Sequence, residues 1–226
     1  MEQRDVIIIG AGPSGLFCAL HLPQHLNILI LEKTQKAAQK LLLSAKGRGN
    51  LTNTMINPRT DYVTSDSLFV EQIFQQYSTK DFLNFLTENE IPYTQEETGR
   101  ILLSSGKVSQ FHDFLLQKLA TRGITIRYGQ DIESLFQDSD SYSIQTTSET
   151  YRAQKVILAT GTKSIPHLGS SDFALQIAKE LDLQYSDFYP ALVGFETEKD
   201  LSSLSGSSLI GKGELYFNGK LLYEQT

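Results

Sequence analysis

The chain has a single cysteine, Cys18, so no disulfide can close within it, and that usage fits a reducing cytoplasm. No run of apolar residues approaches the ~18 that a bilayer span needs. The N-terminus enters an apolar strand directly and lacks the layout of a signal peptide. Positive charge is not in excess. Lys and Arg number 20 against 26 Asp and Glu, and a net charge of −6 argues against a nucleic-acid-binding surface as the main business. The four histidines, His21, His25, His112 and His167, have no metal-ligand spacing with cysteines or acids, and we read no metal site. Cys18 stands among Leu16, Phe17 and Ala19 on a helical stretch, where a small packing residue is the expected role.

What is present describes an ordinary globular protein: 226 residues, 40% hydrophobic and 20% charged, enough for one large domain or one and a fraction. The organising stretch runs from Asp5 to Lys33. An apolar run, Val6 to Ile9, leads into Gly10-Ala11-Gly12-Pro13-Ser14-Gly15, and a second run, Ile28 to Leu31, ends on Glu32. This reads as strand, glycine turn, helix and strand, closed by an acid. Gly10 permits a tight turn, Gly12 lets a pyrophosphate approach the backbone, and Gly15 lets the helix pack closely on the sheet. The helix beginning near Pro13 would point its first N–H groups at the anion. Glu32 follows Gly10 by 22 residues, the spacing of a carboxylate that accepts from a ribose hydroxyl. An acid there favours the free 2′-hydroxyl of FAD or NAD over NADP. The plain alternative is a βαβ unit with an ordinary glycine turn.

Beyond Glu32, the residues Lys33, Lys36, Lys40, Lys46, Arg48 and Arg59 occur without an acid until Asp61. A solvated basic loop is the bland reading of such a run. Directly after a dinucleotide site, we favour a cofactor-facing role for part of it. Inside it lies Ser44-Ala-Lys-Gly-Arg-Gly-Asn-Leu-Thr-Asn53. This segment resembles the S-G-x-G-R-C-N-x-T-N signature of a bacterial FAD-binding family that includes aminoacetone oxidase and BaiN-like flavoproteins. Ala45 stands for a glycine of that signature and Gly49 for its cysteine. The resemblance implies that Arg48, Asn50, Leu51 and Thr52 lie along the flavin half of FAD. It also implies that the backbone at Ile132 meets the adenine. Gly99-Arg100 and Ser104-Ser105 match a further family element, with Leu102-Leu103 where Phe-Pro is usual.

Helices are expected over Ser65 to Tyr77 and from a capping-box start at Ser78 to Asp81, their aromatic stripes facing the core. Short strands are expected at Ile91 to Thr94 and Gly99 to Ser104. Ser109 is expected to cap a helix that Gly123 stops. Ile124 to Tyr128 and Asp131 to Glu133 read as extended, and Ser143 to Thr147 with Thr150 to Gln154 as a hairpin. A buried strand, Val156 to Leu158, ends in Ala159-Thr160-Gly161, small residues that let backbone approach a ligand. With the first motif, this resembles the second fingerprint of flavoproteins of the glutathione-reductase type. It also separates FAD from NAD, because roughly 120 residues intervene before the sheet resumes, where a simple NAD domain would continue its βαβαβ pattern. The resemblance continues through Ser164-Ile-Pro166, Leu168-Gly-Ser170, a helix at Ala174 to Leu183, and Tyr189 to Val193, with Thr162 in place of a glycine. Pro190 marks an expected boundary. Leu192 to Thr197, Glu214 to Phe217 and Lys220 to Tyr223 read as strands, the last two joined by an Asn218-Gly219 hairpin turn.

The expected fold is α/β: a glutathione-reductase-type FAD-binding Rossmann domain over 1–188, then the start of a β-rich inserted domain over 189–226. Relatives of the resembled family are longer, so a fragment with uncovered strand edges and a tendency to self-associate is expected. The expected cofactor is FAD. Gly10, Ala11, Gly12, Pro13, Ser14 and Gly15 would hold the pyrophosphate, Glu32 with Lys33 beside it the ribose, and Ala159, Thr160 and Gly161 the flavin side. The resemblance implies a flavin-dependent oxidoreductase acting on a small amine- or alcohol-type molecule, and the charge balance and short apolar runs lead us to expect no nucleic acid and no membrane as partner. No catalytic residue declares itself. A defective FAD-binding remnant and an NAD-dependent dehydrogenase remain open as other readings.

Overall fold

The computed structural model describes residues 2–64, 66–189, 198–205, 207 and 211–225. In chain order its elements are β1 (Glu2–Ile9), α1 (Pro13–His21), β2 (Ile28–Leu31), α2 (Gln39–Leu42), β3 (Asn50–Asn53), α3 (Ser67–Gln76), α4 (Thr79–Glu88) and β4 (Tyr93–Gln95). There follow β5 (Arg100–Leu103), α5 (Val108–Thr121), β6 (Thr125–Arg127), β7 (Ile132–Gln137), β8 (Tyr142–Thr146), β9 (Thr150–Leu158) and α6 (Phe173–Glu180), then β10 (Gly213–Phe217) and β11 (Lys220–Gln225). They fall into two compact units, Met1–Phe188 and Tyr189–Thr226.

The main sheet of the first unit has the order β6-β2-β1-β9-β8-β7. β6, β2, β1 and β9 run parallel, and β7, β8 and the first half of β9 form an antiparallel meander. Successive side chains of a strand point to opposite faces, and this alternation builds two cores. Val6, Ile8, Ile28 and Ile30 pack with Leu16, Ala19, Leu86, Phe111, Leu115 and Leu119 beneath α1, α4 and α5. Ile7, Ile9, Leu29 and Leu31 pack with Leu135, Ile144, Tyr151 and Ile177 on the other face. Covered on both sides, β2 is buried throughout, which is why it reads as an unbroken apolar run. A separate antiparallel sheet, β3-β5-β4, carries the segment that follows the basic run.

Several expectations need correction. The main sheet resumes at β6, which pairs with β2 from Leu29↔Thr125 onward, earlier than the strand ending in Ala159. Thr150 to Gln154 and Val156 to Leu158 are one strand, β9, because its first half pairs with β8 and its whole length with β1. That strand is not buried throughout, since Val156 and Ile157 are half-covered and Leu158 is exposed. Lys107, not Ser109, stands at the N-terminus of α5, with no side-chain cap. The α4 stripe does enter the core through Leu86, with Phe82, Leu83 and Phe85 beside it. The α3 stripe does not: Leu68, Phe69 and Ile73 are 63%, 58% and 48% exposed. Helical periodicity specifies an apolar face but not the neighbour that covers it.

The second unit contains the hairpin of β10 and β11, joined through Asn218 (φ +49) and Gly219 (φ +73), the left-handed pair that the Asn-Gly signal specifies. The expected boundary at Pro190 and the expected strand at Leu192 to Thr197 lie outside the described residues.

Candidate functional site

At the end of β1 the chain turns at Gly10, whose φ of +108° suits glycine alone. A Cβ there would stand 2.5 Å from the carbonyl oxygen of Ala159, where β9 ends beside β1. A Cβ at Gly15 would collide with the carbonyl oxygen of Gly10. Gly12 is the N-cap of α1 and supplies no side-chain cap, and Pro13 occupies the first helical position. The first N–H groups of α1 therefore have no side-chain acceptor. Ala11, fully buried, donates its N–H to Glu32 Oε2 at 2.8 Å, while Glu32 Oε1 accepts from the N–H and hydroxyl of Thr34 at 2.8 and 2.7 Å. The acid that closes β2 thus braces the glycine turn from below. The Ala11 carbonyl accepts from the Ala38 N–H at 2.8 Å, holding α2 against the same turn.

Two cavities touch this turn at its two ends. The first, of about 340 Å³, opens over the C-terminal ends of β1 and β2 and includes Gly10, Glu32, Lys33, Ile132 and Thr160 among the expected residues. Its rim carries the ion pair of Lys33 Nζ with Asp131 at 3.1 Å, half exposed and worth little by itself. The second, of about 500 Å³, brings Pro13 and Ser14 together with Asn50, Leu51 and Thr52 of β3. Lys40, Ser44 and the rings of Phe17, Phe74, Tyr77, Phe82 and Phe111 complete it. Ala11, Gly12, Gly15, Arg48, Ala159 and Gly161 line neither cavity. Arg48 turns back on its own loop, donating to the Ala45 carbonyl at 3.3 Å, with Glu96 at 4.0 Å. Ala159 donates its N–H to the Ile9 carbonyl at 2.8 Å, fastening β9 to β1 at the turn.

The donor set fits a dinucleotide. Buried hydroxyls without partners are costly unless a ligand meets them, and three are present here. Thr160 Oγ1 is orphaned at the first cavity, and Ser44 Oγ and Tyr77 OH at residues lining the second. The Tyr77 phenol is pushed up by burial first, then by Asp81 and Glu88, and so stays a neutral hydroxyl. Burial likewise pushes the Cys18 thiol up, away from thiolate chemistry. Among the described residues no group of three His, Cys, Asp or Glu gathers as metal ligands, and no helix is long and apolar enough to cross a membrane.

The loop before β3 has an unusual backbone. Ala45 and Lys46 adopt left-handed φ of +48° and +57°, followed by Gly47 at +86° and Gly49 at +77°. The position that the resembled signature gives to glycine is thus left-handed here, with alanine occupying it. At Gly49 a Cβ would stand 3.1 Å from both Leu103 Cδ1 and Val108 Cγ2. Gln130, Asp172, Phe173 and Gln176 line the first cavity and were not singled out in the sequence. Gln130 follows a turn at Gly129 and directly precedes the resembled adenine position by two residues, the one local signal that could have marked it.

A doubly faced α/β sheet, a braced glycine turn and a second strand ending beside it define a dinucleotide-binding flavoprotein fold. Residues 4–222 match the family described as the HI0933-like protein Rossmann domain, and the chain belongs to that family. Its cofactor is FAD, and the family is one of FAD-dependent oxidoreductases. A relative from Escherichia coli, named Ribosomal RNA dihydrouridine synthase, is 29% identical over 89% of this chain and 50% of its own length. The 3-dehydro-bile acid delta(4,6)-reductase of Clostridium scindens is 27% identical over 85% of this chain and 47% of its own. The chain therefore spans about half the length of the curated relatives it matches. Among solved structures, THI4 of Thermovibrio ammonificans superposes with a TM-score of 0.53 at 15% identity, covering 80% of this chain and 64% of that one, a likeness of fold.

Proposed function

We propose that this chain is the FAD-binding part of a flavin-dependent reductase acting on a carbon–carbon double bond conjugated to a carbonyl. The observation that carries the cofactor half of this reading is the pair of cavities meeting the glycine turn at Gly10 and at Pro13 with Ser14. The adenosine half belongs to the first, with Glu32 and Lys33 at the ribose and Ile132 at the adenine. The pyrophosphate belongs to the turn, Gly10 to Gly15. The flavin half belongs to the second, with Asn50, Leu51 and Thr52 along it and Arg48 on the loop that leads into β3; Thr160, expected on the flavin side, lines the first cavity, and Ala159 and Gly161 flank it without lining either. FAD bound there supplies two-electron redox chemistry. The protein's residues bind it, orient it and, through the aromatic wall of the second cavity, keep water from it.

The substrate half rests on two relatives whose names both describe saturation of a conjugated double bond, in a uracil ring and in an oxo-steroid. Adding two electrons and two protons across such a bond replaces the amine or alcohol oxidation expected from sequence, which nothing in the site favours. A free small molecule is the substrate we propose. In the basic run that could receive RNA, Lys33, Arg48 and Arg59 already face Asp131, Glu96 and Glu71. On this reading 1–188 is the N-terminal portion of the FAD domain and 189–226 the opening of a β-rich substrate domain, in a reducing cytoplasm.

The test begins with the visible spectrum of the purified protein and mass analysis of what acid releases, with FAD expected. The loaded protein, reduced anaerobically, should then be reoxidised by cyclohexenone or uridine and should not be bleached by small amines when oxidised. Bleaching by an amine, with no reoxidation by either acceptor, would reverse the assignment.

A further inference from the structure

Gln130 enters the first cavity from the turn between β6 and β7, and its backbone N–H donates to the Glu32 carbonyl at 2.9 Å. Its side chain is held from three directions. The hydroxyls of Thr146, Tyr151 and Ser148 lie 3.1, 3.1 and 3.3 Å from Oε1. Tyr151, fully buried, pairs with Ile144 in the β8–β9 ladder, and Thr146, buried and paired with Ile132 of β7, shares its hydroxyl between this oxygen and the Glu149 carbonyl at 3.0 Å, so the oxygen of this amide is anchored by the sheet itself. Anchoring the oxygen fixes the nitrogen. One Nε2 N–H reaches the Tyr128 carbonyl at 3.4 Å, a weak bond, and the other has no acceptor among the described residues. A carboxamide locked by three hydroxyls costs side-chain entropy and is not needed to fill space, since the cavity beside it is open.

We infer that Gln130 is a specificity-determining residue of the cofactor site, donating from Nε2 to a ring nitrogen of the adenine, with Tyr151 and Thr146 as its positioning residues. The inference rests on the FAD reading above. It adds a side-chain donor to recognition that the resemblance assigns to backbone at Ile132, and it explains why a fully buried tyrosine turns its hydroxyl toward the cavity wall.

The experiment is a titration of the flavin-free full chain with FAD and with FAD analogues carrying 1-, 3- or 7-deazaadenine, each lacking one ring nitrogen. Wild type should lose about tenfold in affinity for one analogue, the scale of one neutral hydrogen bond. Gln130→Met should bind FAD about tenfold more weakly and treat FAD and that analogue alike. Tyr151→Phe, which keeps the buried ring, should lose a smaller part of the same discrimination. Thermal denaturation without cofactor should fall in Gln130→Met, because the buried Tyr151 and Thr146 hydroxyls lose their acceptor, so recognition is read from the ratio of FAD to analogue affinity within each variant, which folding stability does not move. If wild type binds all three analogues as it binds FAD, or if Gln130→Met keeps the discrimination, the role of Gln130 falls while the cofactor reading stands. If wild type takes up no FAD at all, the cofactor reading falls and takes this role with it.

Discussion

At the scale of single residues, the site is governed by where a Cβ can and cannot go. Gly10→Ala puts a methyl against the Ala159 carbonyl at a φ that alanine avoids, and should cost about 3 kcal/mol in urea unfolding along with FAD uptake. Ala45 presents the opposite case. A left-handed alanine costs about 1–2 kcal/mol, and glycine's extra unfolded-state freedom returns roughly 0.5–1 of it, so Ala45→Gly should stabilise by about 0.5 kcal/mol. Gly49→Cys, which restores the signature residue, should destabilise by about 2 kcal/mol in the same assay, because its Cβ would press on Leu103 and Val108 at a φ of +77° that a side chain disfavours. The glycines of the turn were legible in the sequence because they carry a spacing. The bracing role of Glu32 was not, since spacing suggests a ribose contact but says nothing of the Ala11 N–H that the carboxylate meets. Gln130 was invisible for a related reason: its importance lies in hydroxyls far along the chain that only the sheet brings to it.

At the scale of elements, two contacts set the direction and the end of helices near the site. Arg122, just past α5, donates to the carbonyls of Ala19, Leu20 and Leu22 at 3.0, 2.5 and 2.7 Å. It closes the C-terminus of α1, the helix that begins at the glycine turn. Arg122→Met should cost about 2–3 kcal/mol in thermal unfolding, the scale of hydrogen bonds to a charged group. The Ser78–Asp81 capping box was legible from sequence and is formed, with Asp81 Oδ2 accepting from the Ser78 N–H at 2.7 Å and the Asp81 N–H donating to Ser78 Oγ at 3.2 Å. Donation from the Ser78 hydroxyl and then its N–H holds the Asp81 carboxyl below the ordinary 3.8. A depressed folded pKa stabilises the fold above the unfolded value and loses that contribution as pH falls through the folded one. The urea-midpoint difference between wild type and Asp81→Asn should therefore be constant near neutrality and shrink below 3.8. The helices whose caps and periodicity agree were the readable ones. The span of β9 was not, because a strand that changes partners midway reads as two.

At the scale of the molecule, the alternation of β1 and β2 between two cores follows directly from their sequence, whereas the covering of each surface depends on neighbours that no local pattern names. The hairpin of the second unit illustrates this. Leu215, Tyr216, Phe217, Leu221, Leu222 and Tyr223 are all exposed, on both of its faces. Apolar area of that kind on a two-stranded ribbon promotes association. Sedimentation velocity should detect concentration-dependent oligomers, and Leu215→Lys with Leu222→Lys should shift them toward monomer.

The pairing of β1 with β9, from Glu2↔Tyr151 to Ile9↔Leu158, has a consequence for how the protein is made. The glycine turn is synthesised well before its packing partner, for the carbonyl that Gly10 packs against belongs to Ala159. Roughly 150 residues must be added in between, about 8–30 s of synthesis at ordinary rates. Through that interval β1 offers an apolar edge with its eventual partner still unwritten. The nascent chain should therefore acquire its hold on FAD abruptly, once the second strand emerges, rather than in proportion to its length.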